Sequence, residues 1–244
     1  MHWIYLSPHF DDVALSCGGL VWHQMQAGDV VEIWTVCAAA PDPSQPFSPF
    51  AQSLHARWGT GPASVAARRA EDIASCQVLG AAYRHLAVAD CIYRGDGLGQ
   101  YYYASEDALN GPLHPDEAAR AVQITQLNLE ALPPDLNLVC PLSLGNHVDH
   151  QLTRLAAEQS GRRLYYYADF PYVLRQPDHL QALAQAGWQP ACSPLSTLAL
   201  TVWQDCVAAH ASQISTFWVD EAAMRTAIAE YAAQAWAVCL WQPG

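Results

Sequence analysis

The chain has 244 residues, 52% of them apolar and only 14% charged, with a mean hydropathy of +0.01. That balance excludes a disordered chain and supplies ample material for a buried core. The formal net charge is −12 and all eleven basic residues are arginine, so a polyanion would meet net repulsion and nucleic acid is excluded as the main ligand.

The first element is "HWIYLS", a short β-rich apolar run. The N-terminus lacks the basic start and small-residue cleavage site of a signal peptide, so the expected location is the cytoplasm. "LSCGGLVWHQMQAG" then has helical spacing with a stop at Gly28, and "DVVEIWTVCAA" is a second buried strand. Together they predict a βαβ unit with parallel strands and a right-handed crossover. The stretch 41–63 is rich in Pro, Gly and Ser and is too long for a plain connector, which predicts an active-site loop.

"SVAARRAEDIASCQVLG" reads as an amphipathic helix ending at Gly80, "YRHLAVAD" as a strand, and "HPDEAARAVQITQLNLEAL" as a helix with an acidic first turn. "LNLVCPLS" is another buried strand, and "LGNHVDHQLTRLAAEQSG" is a turn entering a helix. "RLYYYADFPYV" and "STLALTV" are read as strands, and the rest as helical from Trp203, with a break near Trp218 and an end near Trp236. No apolar run approaches the roughly 18 residues of a membrane helix. The eight cysteines are scattered without a C-x-x-C pair and are read as buried thiols rather than disulfides or metal ligands. Strands alternating with helices predict one α/β domain over 1–244, a Rossmann-like three-layer sandwich with a mainly parallel sheet.

In such a sheet, ligands gather at the carboxyl ends of strands. Two segments place metal-capable side chains there: "SPHFDD" (His9, Asp11, Asp12) and "GNHVDH" (His147, Asp149, His150). Each holds a histidine with a second strong ligand three positions on, His9 with Asp12 and His147 with His150, a spacing that puts both on one side of a helical turn. Such nitrogen and carboxylate ligands suit zinc, and three of them plus a water make a hydrolytic site. Iron or another divalent ion would also fit. Either motif alone also fits a solvated helix start; their joint placement at strand ends favours a metal site.

The pair "SPHFDDVALSCGG" and "GNHVDHQ" resembles the PIG-L/LmbE-like zinc-dependent de-N-acetylase family. The resemblance implies a zinc-dependent hydrolase that removes an acetyl group from an N-acetylated amino sugar or sugar conjugate. It implies His9, Asp12 and His150 as zinc ligands, Asp11 as general base and His147 as the histidine that polarises the amide. Asp149 would orient a neighbouring histidine. Phe10 and Val148 stand where many members have proline. Arg68 resembles a substrate-contacting arginine of the family, with Arg69 an equal candidate, and Asp90 at a strand end is a candidate for substrate hydroxyls. His210 lies in "HASQ", which resembles a C-terminal element of part of the family.

Two other readings stay open: a metal-dependent amidase or deacylase on a non-sugar amide, and a non-catalytic sugar- or metal-binding module. "SCGGL" is no dinucleotide loop, because G-x-G-x-x-G is absent. "LHPDE" at His114 lacks a second histidine and reads as a helix start.

Overall fold

The structure is a computed structural model that describes residues 1–176 and 178–244. It opens with strand β1 (His2–Ser7), helix α1 (Asp12–Gln26) and strand β2 (Val30–Thr35). Helices α2 (Pro49–Arg57) and α3 (Ser64–Leu79) follow, then strand β3 (Ala82–His85) and helices α4 (Glu106–Leu109) and α5 (Glu117–Ile124). The centre holds strand β4 (Asn137–Pro141), helix α6 (Val148–Gln159) and strand β5 (Leu164–Tyr167). Last come α7 (His179–Gln185), β6 (Gln189–Cys192), α8 (Thr197–Ala208), α9 (Ala211–Phe217), α10 (Glu221–Ala232) and β7 (Cys239–Gln242).

The strands form one sheet in the order β3-β2-β1-β4-β5-β7-β6. The first five are parallel, and β7 runs antiparallel to both β5 and β6. Strands β1 and β4 are neighbours, yet the chain leaves β1 toward β2 and β4 toward β5, in opposite directions. Right-handed crossovers therefore place α1 and α3 on one face and α5 and α6 on the other. The reversal opens a crevice at the carboxyl ends of β1 and β4, where ligands bind in sheets of this type. The expected mainly parallel, Rossmann-like α/β sheet is what the chain forms.

Several expectations are corrected. "STLALTV" is the start of helix α8, not a strand: Ser196 caps it by accepting from Ala199 N, and its buried residues Ala199, Trp203, Cys206 and Val207 follow helical spacing. The predicted strand "YRHLAVAD" shortens to Ala82–His85, beyond which isolated bridges at Ala87 and Ala89 continue the pairing. The stretch 41–63 contains helix α2, capped by Ser48. The final helix stops at Ala232, and Trp236 precedes strand β7. Six cysteines are buried thiols, but Cys192 and Cys239 face each other across the β6–β7 pair and form a disulfide.

The glycines after "SPHFDD" have a packing reason. A Cβ on Gly18 would meet Trp203 Cδ1 at 2.5 Å and Cys206 Sγ at 2.7 Å, so α8 can lie against α1 only where that side chain is missing. Trp203 seals the contact by donating Nε1–H to Ala14 O at 2.9 Å. A second, smaller cluster joins Leu54, Ile92, Tyr103 and Leu109 to Val148 of the second histidine motif. It ties the 41–63 and 91–112 segments to the rim of the sheet. No helix among the described residues is long and apolar enough to cross a membrane.

Candidate active site

Both histidine motifs leave the sheet through tightly bonded turns. After β1, Ser7 Oγ accepts from Val13 N at 3.1 Å, while Asp12 Oδ2 accepts from His9 N at 2.7 Å. These bonds fold Pro8–Asp11 back over the start of α1 and hold Asp12 in its first turn, where the helix dipole favours a carboxylate. After β4, Ser143, Gly145 and Asn146 all have positive φ. At Gly145 any side chain would also strike Tyr172, whose Cδ1 lies 2.6 Å from the added Cβ. This turn delivers His147 as the N-cap of α6, so Asp149 and His150 fall in its first turn.

The ligand atoms converge with their backs supported. His9 Nε2 is 2.9 Å from Asp149 Oδ2, which leaves Nδ1 facing Asp12 Oδ2 at 3.0 Å. His150 Nδ1 is 2.6 Å from Asp169 Oδ1, which leaves Nε2 facing Asp12 Oδ1 at 3.3 Å. That Nε2 is fully buried and has no hydrogen-bond partner among the described residues. A carboxylate behind each histidine fixes its tautomer and turns a lone pair inward, an arrangement typical of metal-binding histidines. The donor set of two imidazoles and one carboxylate therefore fits a divalent cation between His9, Asp12 and His150.

His9, His147 and His150 also bring ring nitrogens within 4.8 Å of one another, which offers a three-histidine alternative. The hydrogen bonding argues against it. His147 Nδ1 accepts from Asp149 N at 3.2 Å, so the neutral ring carries its proton on Nε2 and presents a donor rather than a lone pair.

The rim is strongly acidic. Asp11, Asp12, Asp90, Asp149 and Asp169 are all buried at this rim. Burial works to lower the His9 pKa, but Asp12, Asp149 and Asp90 hold it well above the ordinary value. Burial opposes protonation of His150 too, yet Asp12 and Asp169 bring its pKa up to about 9. Asp12 goes the other way: burial raises its pKa, but His150 and His9 hold it well below the usual carboxylate range. A divalent cation held here would be balanced by these same carboxylates. Burial, then the neighbouring His9 and His150, push the His147 pKa well below ordinary, which keeps that ring neutral.

Above these residues lies a cleft of about 910 Å³ including its open mouth, with His9, Asp11, Asp12, Arg68, Asp90 and His147 in its lining. Asp149 and His150 sit beneath them, 0% and 1% exposed. Arg68 is a buried cation rather than an exposed helix arginine. Its Nη2 donates to Asp11 Oδ1 at 3.0 Å, its Nη1 lies 3.7 Å from Asp90 Oδ2, and its guanidinium sits 5.0 Å from the Trp58 ring. Arg69 instead bonds Ala38 O and sits 3.0 Å from His85 Nδ1, outside the cleft. Phe10 is 3% exposed and packs edge-on against His85, with Arg68 and Arg69 over its ring. The segment 41–63 contributes Leu54, Arg57 and Trp58 to the cleft.

Sequence reasoning missed several residues here. Asp169 stands directly behind His150; its signal was an acidic residue soon after "LYYY", the strand next to β4. Arg94 is buried and bonded to Asp149. Tyr172, Gln213, Thr216 and Phe217 close the C-terminal side of the cleft. His210 is 2% exposed, with neither ring nitrogen hydrogen-bonded among the described residues, and borders a small pocket together with Asp11 and Gln213. His114 stacks on Tyr102, away from the cleft lining.

Over 210 residues the chain is 30% identical to 2'-N-acetylparomamine deacetylase of Niallia circulans, covering 76% of this chain and 71% of that protein. It is also 30% identical over 182 residues to the Streptomyces fradiae 2'-N-acetylparomamine deacetylase, spanning 70% of this chain and 57% of that one. The crystal structure of the zinc inhibited form of teicoplanin deacetylase Orf2 superposes with a TM-score of 0.77 at 25% identity, covering 99% of this chain and 97% of that one. The sequence profile of PIG-L, GlcNAc-PI de-N-acetylase, matches residues 4–160. With both histidine motifs inside the matched span, the chain belongs to the PIG-L de-N-acetylase family.

Proposed function

We propose that this protein is a zinc-dependent N-deacetylase that releases acetate from an N-acetylated amino sugar or glycoconjugate. The observation that carries the reading is the convergence of His9 Nδ1, Asp12 and His150 Nε2, with a carboxylate behind each imidazole. Support for the substrate class comes from the relatives, which are named for deacetylation of acetylparomamine and teicoplanin.

His9, Asp12 and His150 would hold the ion. When bound, zinc supplies a Lewis acid that lowers the pKa of a water to about 7. The other steps belong to side chains of this chain. Arg68 holds Asp11 by Oδ1, which leaves Oδ2 without a hydrogen bond among the described residues and free to take the proton of the attacking water. The same oxygen then returns that proton to the leaving amine. His147 keeps its proton on Nε2 and donates toward the negative charge that develops on the amide oxygen. Asp149 positions His9. Asp90 and Arg68 line the cleft and are the residues we assign to sugar hydroxyls, with the Trp58 ring beside Arg68.

The test is zinc analysis of the purified protein together with amine release from a panel of N-acetylated amino sugars and unrelated amides. The reading expects bound zinc and turnover confined to the sugars. Turnover of unrelated amides alone would replace it with a non-sugar amidase.

A further inference from the structure

We infer that Arg94 is a positioning residue for the metal centre, locking the Asp149 carboxylate so that His9 turns Nδ1 toward the ion. This rests on the metal-site reading proposed above. Arg94 follows the short helical turn Cys91–Tyr93 in the wall of the cleft and is 3% exposed. Its Nη1 donates to Asp149 Oδ1, and to Ala89 O at 3.0 Å. Its Nη2 lies 2.8 Å from Glu117 Oε2, an ion pair off the hydrogen-bonding angle. Asp149 and Glu117 are both 0% exposed, so the guanidinium bridges two carboxylates out of reach of water.

The two oxygens of Asp149 divide the work. Oδ2 receives His9 Nε2 at 2.9 Å and Cys91 N at 3.0 Å, while Arg94 is the partner of Oδ1 among the described residues. Remove the guanidinium, and a buried carboxylate keeps its charge with one oxygen empty. The group is then driven to turn or to draw in water, and His9 loses its fixed partner. Lysine would not substitute, since a point charge cannot meet Asp149, Ala89 O and Glu117 in one plane. A buried ion pair is also a weak way to gain stability, because apolar side chains of the same volume often do as well. A fork of this kind behind a histidine that faces the ion is better explained by orientation.

The experiment measures zinc affinity by competition with a chromophoric chelator, with folding checked by near-ultraviolet circular dichroism. Wild type, Arg94→Met, Arg94→Lys, Asp149→Asn and the Arg94→Met/Asp149→Asn double variant are compared. Loss of outer partners of a metal ligand weakens binding by roughly tenfold to a hundredfold, and both Arg94 variants are expected at or above the lower bound while remaining folded. In the Asp149→Asn background, Arg94→Met should add less than about twofold, since it acts through Asp149. Wild-type affinity in either folded Arg94 variant overturns the inference, as does an undiminished loss in the Asp149→Asn background. If Arg94→Met does not fold, Arg94→Lys decides alone. If wild type binds no zinc, or His150→Ala binds it as tightly as wild type, the metal-site reading fails, and this inference with it.

Discussion

His9 and Asp149 stand 140 positions apart, yet His9 Nε2 lies 2.9 Å from Asp149 Oδ2. The contact joins the two histidine motifs across the β1–β4 seam and sets which nitrogen of His9 faces Asp12. Replacing Asp149 with asparagine keeps the volume but removes the charge that fixes this tautomer. Zinc affinity should drop roughly tenfold to a hundredfold, measured by chelator competition. Asp169→Asn, behind His150, should do the same, and wild-type affinity in both variants would remove the supporting role of these carboxylates.

Arg68 offers a separable test, because it touches the proposed base and not the proposed ligands. Arg68→Lys loses the bond to Asp11 Oδ1 while keeping a positive charge. A hydrogen bond between charged groups is worth about 2 kcal/mol, which corresponds to roughly thirtyfold in kcat/KM. Zinc content should not change. Loss of zinc in this variant would mean that Arg68 supports the ligands instead.

The glycine after Cys17 makes a prediction about stability alone. Gly18→Ala would force a methyl group against Trp203 Cδ1 and Cys206 Sγ. Overpacking of this kind costs about 1–3 kcal/mol, seen as a lower midpoint in urea denaturation. An unchanged midpoint would show that α8 can move away from α1 without penalty.

Zinc should stabilise the folded chain by mass action. At a free concentration about a hundredfold above its dissociation constant, a ligand that binds only the folded state adds about 2.7 kcal/mol. A rise in melting temperature on adding zinc to the chelator-treated protein checks this, with His150→Ala as the control that shows none. An equal rise in His150→Ala would place the ion elsewhere.

The central geometry was legible because both motifs follow buried strands, and strand ends of an α/β sheet are where ligands bind. The periodicity of β1, α1 and β2 was equally clear. Other parts were hidden for physical reasons. Thr197, Thr201 and Val202 gave α8 the look of a strand, although Ala199, Trp203, Cys206 and Val207 carry its helical stripe. Strands β6 and β7 have four residues each, too short for an alternation to stand out. Asp169 was masked by the aromatic run around it. Arg94 offered no local pattern, because its role comes from Asp149, which lies 55 positions away and was brought near only by the fold.

The most direct measurement is a paired assay of zinc content and amine release in wild type and Asp11→Asn. The account predicts one zinc per chain in both, with turnover on N-acetylated amino sugars falling by roughly a hundredfold to ten-thousandfold in the variant. A wild-type protein without zinc in a zinc-replete preparation, or an Asp11→Asn variant with full turnover, would contradict it.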